Sequence, residues 1–185
     1  MCLRPLVRGD LDQIRHWTND PQLRRLTGQV KPMTETECEE FYQRTQDQTS
    51  RVWFIITLKA TGKAIGEAGL LRMFPPWRTT DLTMIIGERE ERGKGYGTEA
   101  INLLLEYAFG RLNFHRVALG VVGFNEAALR FYAKAGFTRE GVQRDGYYYD
   151  HTYHDFVMMS LLEEEYRAAK ARCGDGTAGV RCLSM

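Results

Sequence analysis

Residues 81–100 read DLTMIIGEREERGKGYGTEA, and this stretch indicates both a fold and a kind of ligand. An apolar strand, Asp81–Gly87, precedes a polar turn, the glycine-rich segment Arg92–Gly97 and a helix from Thr98. Glycine at alternate positions removes the Cβ atoms that would keep a ligand away from the backbone. Backbone amides at a helix start, where the dipole is positive, bind anions. The segment therefore predicts a pyrophosphate site.

Two better-known phosphate loops do not fit this segment. A P-loop has the form G-x-x-x-x-G-K-[ST], but Gly87 and Gly93 are one residue too far apart, and Gly95 stands where a magnesium-binding hydroxyl belongs. The dinucleotide fingerprint has the form G-x-G-x-x-G, and here the third glycine, Gly97, comes one residue too early. That fingerprint is also followed about 20 positions later by an acidic residue, and residues 116–119 contain none. From these residues alone, a glycine-rich turn without a ligand is the alternative.

The flanking segments predict a single α+β domain over residues 1–170. Helices occur in two places around a mostly antiparallel sheet, which indicates three layers, α/β/α, and not a doubly wound fold. The first strand should lie at a sheet edge because Pro5 cannot donate to a ladder. The predicted strands are Cys2–Val7, Val52–Leu58, Ala64–Met73, Asp81–Gly87, Arg116–Val122, Arg139–Gln143 and Asp155–Leu162; the helices begin at Asp10, Thr34, Thr98 and Asn125.

Composition excludes several classes of protein. The 185 residues hold 25 Lys+Arg and 24 Asp+Glu, a net charge of +1, so nucleic acid is not an expected partner. The apolar stretches are shorter than the ~18 residues of a membrane span, and no signal peptide is indicated. The cysteines are scattered, which favours a reduced, cytoplasmic protein; they are Cys2, Cys38, Cys173 and Cys182.

Two further features carry weaker expectations. The histidines of His151-x-x-His154 would lie on opposite faces of a strand, so no metal site is predicted. Residues 171–185 lack periodicity and are predicted to form a mobile tail.

The sequence resembles the GCN5-related N-acetyltransferases (GNAT family). Arg92–Gly97 matches the acetyl-CoA loop [RQ]-x-x-G-x-[GA] of that family, and a second signature, an asparagine opening the next helix with a tyrosine seven residues later, is met by Asn125 and Tyr132. Leu3–Leu6 at the start and Tyr149-Asp150 near the end resemble the branch with Rim-type ribosomal-protein and spermidine acetyltransferases. The resemblance covers about residues 2–166.

The resemblance implies a sheet that splays between the strand ending at Ile86 and the strand Arg116–Val122, with pantetheine entering the opening. Backbone of the first strand would bind pantetheine, amides of the loop would hold the pyrophosphate, and the Asn125 helix would bind the other side of CoA, with Arg130 or Lys134 near the 3′-phosphate. The implied cofactor-binding residues are Met84, Ile85, Ile86, Arg92, Gly93, Lys94, Gly95, Tyr96, Gly97, Thr98, Asn125, Ala128 and Lys134.

The implied reaction is attack of a neutral amine on the thioester of acetyl-CoA in a ternary complex. A lysine-type ammonium with a pKa of about 10.4 needs a strong base, whereas an N-terminal amine at about 7.7 to 8.0 needs less help. Glu67 is a candidate base because a single charge within an apolar strand requires an explanation; Asp81, Glu88 and a water path are alternatives. Tyr132 is the candidate general acid, and a backbone amide near Ile86 would hold the oxyanion.

Several alternatives stay open. Asn125 would be a good helix cap without a ligand, and Tyr132 a core aromatic by periodicity alone. The acceptor site is expected among the first two helices, the Pro75–Trp77 link and the Tyr147–Tyr149 turn, for a polyamine, another small amine or a peptide N-terminus. The arginines and lysine of Trp17–Lys31 argue against a highly cationic polyamine. A catalytically silent CoA-binding domain is the competing function, and a homodimer is left open.

Overall fold

The computed structural model of the protein describes residues 1–47 and 49–173. Its strands are β1 (Cys2–Pro5), β2 (Arg51–Thr57), β3 (Ala64–Phe74), β4 (Thr79–Ile86), β5 (Arg116–Val122), β6 (Thr138–Tyr149) and β7 (Thr152–Leu162). Its α-helices are α1 (Leu11–Asn19), α2 (Pro21–Thr27), α3 (Glu35–Gln46), α4 (Tyr96–Glu106), α5 (Glu126–Lys134) and α6 (Glu163–Cys173), and a π-helical turn, Tyr107–Arg111, continues α4.

All of these strands form one sheet in the order β1-β2-β3-β4-β5-β7-β6. Neighbours pair antiparallel except β4 and β5, which are parallel. β1 lies at one edge, as Pro5 predicted, because a residue without an N–H is tolerated where no further strand pairs. The predicted α+β class and mixed, mostly antiparallel sheet are confirmed.

The parallel pair separates partway along its length. β4 and β5 are in register only at Thr79–Asp81 with Arg116–Ala118, although β4 continues to Ile86 and β5 to Val122. Antiparallel pairing of β4 with β3 persists to Ile86 opposite Gly66. The sheet is thus open on one side of β4, which confirms the predicted splay.

Two apolar clusters cover the two faces of the sheet. The larger one joins α4 and α5 to the strands, with Ile101, Leu104 and Tyr132 among its buried members. The smaller one joins α1 and α3, through Ile14 and Cys38, to the opposite face. Since side chains alternate along a strand, β4 presents Met84 to the larger cluster and the residues on either side of it to the α1/α3 face.

Helix starts follow local chemistry. The Thr34 hydroxyl accepts from the Glu37 amide at 3.2 Å and the Glu37 carboxylate accepts from the Thr34 amide at 2.8 Å, which is the predicted capping box of α3. Asp10, predicted to open the first helix, does not cap it: its carboxylate accepts two hydrogen bonds from Arg4, at 2.7 and 2.6 Å, and α1 begins at Leu11 after a short 3-10 turn.

The structure differs from the predicted elements in three places. The tyrosine-rich segment, predicted as a turn after Gln143, belongs to a long hairpin in which β6 runs to Tyr149. Helix α2 was missed, although Asp20 caps it and Gly28 ends it. The boundary at 170 is too early because α6 continues to Cys173; the rest of the predicted tail, 174–185, lies outside the described residues.

None of the helices in the described ranges has the length and apolarity needed to cross a bilayer.

Gly66→Ala should destabilise the protein because β3 and β4 are in close contact at this position. A Cβ on Gly66 would lie 2.2 Å from the Ile85 carbonyl oxygen and 3.0 Å from the Ile86 Cα, and neither backbone atom can move without shifting β4. We expect a loss of at least about 2 kcal/mol in the free energy of unfolding, measured by urea denaturation. Gly9→Ala is the matched control, since its Cβ would meet nothing within 4 Å; equal losses in both variants would contradict the interpretation.

Candidate active site

The opening of the sheet exposes a central strand that would normally be buried. Thr83, Met84, Ile85 and Ile86 are only half-buried, although β4 lies in the middle of the sheet. Beyond Asp81 the edge of β4 that faces β5 has no ladder partner among the described residues. An extended, amide-containing ligand can pair with such an edge as an additional strand would.

The glycine-rich loop connects this edge to the start of α4. Gly93 and Gly95 have φ of +77° and +89°, in the left-handed region that glycine adopts without strain. Gly95 stands at the N-cap of α4, and no side chain caps the helix. The amides from Gly95 through Tyr96 and Gly97 to Thr98 make no hydrogen bond to any residue in the described ranges. The uncapped start of α4 therefore offers several donors to one anion.

Arg92 anchors this loop to the end of β4. Its Nε donates to the Ile86 carbonyl at 2.9 Å and its Nη2 to the Gly87 carbonyl at 2.9 Å. Its own amide donates to the Arg89 carbonyl at 3.3 Å, so this amide is not free for a ligand. The predicted set of pyrophosphate donors therefore narrows to the residues after Arg92, and the arginine positions them. Lys94 is half-exposed and pairs with Glu91 at 3.0 Å.

Asn125 links two helices at the other side of the opening. Its Oδ1 accepts from the Ala128 amide at 3.2 Å, which caps α5, and its Nδ2 donates to the Leu26 carbonyl of α2 at 3.2 Å. Asn125 is therefore a helix cap, as its position in the sequence suggested. Its hydrogen bond to Leu26 was not predicted. Lys134 is exposed in the last turn of α5, and Ala128 packs against the larger cluster.

Phe131 is a site residue that sequence reasoning missed. A Cβ on Gly97 would lie 3.5 Å from the Phe131 ring and 3.9 Å from the Met84 side chain, so α5 reaches across to α4 and β4 here. The aromatic side chain at this position gave no signal beyond helical periodicity, which is why it was not singled out.

Tyr132 is buried between aromatic neighbours on the same side of the sheet. Its ring makes edge contacts with Phe131 at 5.2 Å and Phe137 at 5.6 Å between centroids. Burial raises the pKa of the phenol to about 12, so it stays protonated at neutral pH. A protonated phenol can donate a proton but cannot act as a base.

Glu67 is buried on the opposite face of the sheet. It lies on β3 opposite Ile85 of β4, with 8% of its surface exposed. The indole Nε1 of Trp53 donates to its Oε2 at 2.7 Å. Burial raises the pKa of this carboxyl to about 7, against the smaller, opposite effect of the Trp53 hydrogen bond. A carboxyl group that titrates near neutrality and lies one strand from the opening is suited to take up a proton.

The other two candidate bases have structural partners. Asp81 lies where β4 and β5 are still paired, and its carboxylate binds Arg72. Glu88 accepts from Trp17 Nε1 at 2.9 Å and from Gln13 Nε2 at 3.0 Å, and it lies 3.4 Å from Lys63.

The Trp17 ring rests directly on the backbone of Gly87, where a Cβ would lie 2.3 Å from the indole. Helix α1 is therefore fixed to the end of β4 by both the ring and its N–H group.

Helix α2 spans the opening on the α1/α3 side. Gln22 accepts from Arg92 Nη1 at 3.3 Å, and the Leu26 carbonyl accepts from Asn125. At its end a Cβ on Gly28 would lie 3.3 Å from the Phe156 ring of the β6–β7 hairpin. The hairpin and the residue Phe124, which follows β5, form an aromatic cluster, defined as Phe124, Tyr147, Tyr149, His154 and Phe156.

One part of the expected acceptor site is misplaced. The Pro75–Trp77 link precedes Thr79, the paired end of β4, whereas the opening lies at the Ile86 end. Eight residues of strand separate the two by about 25 Å. Of the two helices predicted there, α1 reaches the opening through Trp17 at Gly87, and the Tyr147–Tyr149 segment lies beside the end of α2, which the prediction missed.

His154 packs edge-on against Phe124, with 4.8 Å between ring centroids. Within the described ranges, no three His, Cys, Asp or Glu side chains are grouped as a metal site would require.

Comparison with known proteins agrees with this geometry. Residues 1–138 match the family model of the acetyltransferase (GNAT) domain. A spermidine N(1)-acetyltransferase of Escherichia coli K12 is 27% identical over 166 residues, covering 90% of this chain and 88% of that protein. A spermidine N-acetyltransferase from Vibrio cholerae, solved with CoA and spermine, superposes with a TM-score of 0.83 at 28% identity, covering 89% of this chain and 96% of that one. A further structure of that enzyme is dodecameric, with a TM-score of 0.77 at 28% identity, covering 89% of this chain and 94% of that one.

The chain has a central strand with one open edge that leads through a glycine-rich turn to an uncapped helix start, and its fold is that of a relative solved with CoA. Acetyl transfer from CoA to an amine, predicted from the sequence, is confirmed as the activity, and the silent-domain alternative is disfavoured. The chain belongs to the GNAT acetyltransferase family and is an acetyl-CoA-dependent N-acetyltransferase.

Proposed function

We propose that the amine attacks acetyl-CoA directly in a ternary complex that assembles in the opening between β4 and β5. The observation that carries this proposal is the unpaired edge of β4 leading into the uncapped start of α4. Pantetheine pairs with the backbone of Met84, Ile85 and Ile86, and the amides after Arg92 hold the pyrophosphate. The cofactor occupies the α4/α5 side and the amine enters from the α1/α3 side.

Glu67 acts as the general base. Its carboxyl group lies on the α1/α3 side of the sheet, and a pKa of about 7 leaves roughly half of it ionised at neutral pH. Because β3 is one strand removed from the opening, a bridging water relays the proton from the ammonium group. Asp81 and Glu88 are less suited because each lies beside a cation, Arg72 or Lys63, whereas the partner of Glu67 is the neutral N–H of Trp53.

Tyr132 acts as the general acid. Nucleophilic attack gives a tetrahedral oxyanion, which a backbone amide near Ile86 stabilises. As the carbon–sulfur bond breaks, the phenol donates its proton to the CoA thiolate. Burial, which keeps the phenol protonated, supports this role.

The acceptor is a primary amine on a small molecule or at a peptide N-terminus. A base with a pKa of about 7 suits an N-terminal amine at about 7.7 to 8.0 better than a polyamine at about 10.4, because less free energy is needed to deprotonate it. The Escherichia and Vibrio relatives are named for spermidine, so that polyamine is the reference substrate for any test.

Two properties of the protein in the cell extend the proposal. Cys2 and Cys38 are both free thiols, which supports a reduced, cytoplasmic location. The long, exposed edge strand β6 supports self-association, at least as the homodimer that the sequence left open, and sedimentation velocity of the full chain would test it.

Gly95→Asp should abolish acetyl-CoA binding. An aspartate at a φ of +89° is strained, and its carboxylate would face the pyrophosphate at the start of α4. Gly95→Asn is the matched control, because asparagine has nearly the same shape, tolerates this conformation and has no charge. Calorimetry with acetyl-CoA should show weak binding for the asparagine variant and none for the aspartate variant; normal binding by the latter would contradict the loop assignment.

Glu67→Gln should lower kcat/KM and remove its inflection near pH 7. In the wild type the rate rises with pH as the carboxyl group loses its proton, at a pKa of about 7. Glutamine has the same shape and still accepts from Trp53, so thiol release measured from pH 5 to 9 isolates the titration. A variant that kept the inflection would show that another group is the base.

Unfolding measurements test the raised pKa of Glu67 independently of activity. Because burial raises the pKa of Glu67 in the folded state from an ordinary value of 4.5, the folded protein holds this proton longer than the unfolded chain. The ionised carboxylate therefore costs stability as pH rises from about 4.5 to 7. Glu67→Gln should be more stable than the wild type at pH 8, on the order of 3 kcal/mol, and equal to it at pH 4.

Tyr132→Phe should lower kcat by at least about a hundredfold and leave the affinity for acetyl-CoA unchanged. Phenylalanine keeps the edge contacts with Phe131 and Phe137 and loses only the proton donor. Phe131→Leu is the control for packing next to the loop, and it should weaken cofactor binding more than turnover. Unchanged turnover in the Tyr132 variant would exclude its role as the acid.

A further inference from the structure

Helix α2 places two arginines against the aromatic cluster of the β6–β7 hairpin. The guanidinium carbon of Arg25 lies 5.0 Å from the centroid of the Phe124 ring and 5.8 Å from that of Tyr149. Arg24 lies close enough to Tyr147 for its charge to act on this phenol: burial raises the pKa of Tyr147, and the charges of both arginines oppose that rise. Both guanidinium groups are thus held where the opening meets the hairpin.

Neither arginine is neutralised by a neighbouring acid. The ion pairs within the described ranges include none to Arg24 or Arg25. Asp20, which precedes α2, caps the helix by accepting from the Leu23 amide at 2.8 Å.

Arg24 also has unused hydrogen-bonding capacity. Its Nη2 donates to the Val30 carbonyl, while its Nε is buried without a partner among the described residues. A buried donor without a partner is unfavourable, so the guanidinium group of Arg24 is incompletely satisfied within the described residues.

The position of α2 places these charges at the acceptor side of the reaction. Its contacts with Arg92 and Asn125 fix it across the opening. Gly28 at its end lies beside Val122, which faces away from the larger cluster and so lies on the face of the sheet that also holds Glu67. A polycation such as spermidine would meet two like charges here. A carboxylate or phosphate would be bound by the planar donor fork of a guanidinium group.

Resting on the proposed function, we infer that the acceptor of this enzyme is an amine whose molecule also bears a carboxylate or phosphate, which Arg24 and Arg25 bind. The same aromatic cluster that supports Arg25 forms the wall against which the body of the acceptor packs. The two arginines are specificity-determining residues, and the chemical steps remain with Glu67 and Tyr132.

The test compares pairs of acceptors in which one member has an anionic group, a carboxylate or a phosphate, and the other lacks it. Thiol release from acetyl-CoA is measured with alanyl-glutamate amide against alanyl-glutamine amide, with glucosamine 6-phosphate against glucosamine, and with spermidine. We expect kcat/KM to be at least about tenfold higher for the anionic member of one pair, and spermidine to be the poorest acceptor. The pair that responds identifies carboxylate or phosphate as the group bound.

Variants then assign the preference to the arginines. Arg24→Gln and Arg25→Gln should each reduce kcat/KM for the preferred anionic acceptor at least about tenfold, mainly through KM, and reduce it for the neutral partner much less. Arg44→Gln, an exposed arginine on α3, is the charge-matched control and should alter neither. Raising the salt concentration should weaken the preference in the wild type.

The outcomes distinguish a failure of this inference from a failure of the proposed function on which it rests. Turnover with spermidine as the best acceptor, or anionic acceptors unaffected by either arginine variant, would overturn the inference and leave the acetyltransferase mechanism intact. A loss of acetyl-CoA affinity in the arginine variants, measured by calorimetry, would reassign both residues to the cofactor and also overturn it. No binding of acetyl-CoA by the wild type would overturn both.

Discussion

The parallel pairing of β4 with β5 ends at Asp81, and the rest of the structure depends on that early separation. Unpaired backbone in the middle of a sheet is unfavourable unless water or a ligand satisfies it. Here the unpaired edge leads into a loop whose left-handed glycines, Gly93 and Gly95, turn the chain so that α4 starts beside it. The gap therefore combines two unsatisfied sets of donors, one suited to an amide-containing arm and one to an anion.

The alternation of side chains along the strands places the proposed base and the proposed acid on opposite faces of the sheet. Met84 belongs to the α4/α5 side with Tyr132, whereas Glu67, opposite Ile85, belongs to the α1/α3 side. A base and an acid on opposite faces of one sheet have different surroundings, and burial shifts the pKa of each upward: the carboxyl to about 7 and the phenol to about 12. Near neutral pH the Glu67 carboxylate can therefore take up one proton, while the Tyr132 phenol still holds the proton that it would donate on the other face of the sheet.

Much of this fold was predictable because its signals are local. The Thr34 capping box, Pro5 at a sheet edge and the strand Arg116–Val122 each follow from the chemistry of a few adjacent residues. The glycine-rich loop was found in the same way. Helix α2 also had local signals, Asp20 before Pro21 and Gly28 after Thr27, which the prediction did not use.

Other features depend on contacts between distant segments. The tyrosine-rich residues read as a turn by composition, but their pairing with β7 makes them strand, with Tyr147 opposite His154. The tether from Asn125 to Leu26 joins residues far apart in the chain, and no spacing indicates it. Glu67 was recognisable as an unusual charge in an apolar strand, yet its partner, Trp53, is set by strand register.

The contact between Trp17 and Gly87 restricts how this sequence can change over evolution. No side chain fits at position 87 while an indole occupies position 17, because the added Cβ would overlap the ring. The indole also donates to Glu88, so a smaller residue at position 17 would leave that carboxylate short of a partner. A single substitution at either position is therefore unfavourable, and a viable path needs compensating changes at positions 17, 87 and 88 together.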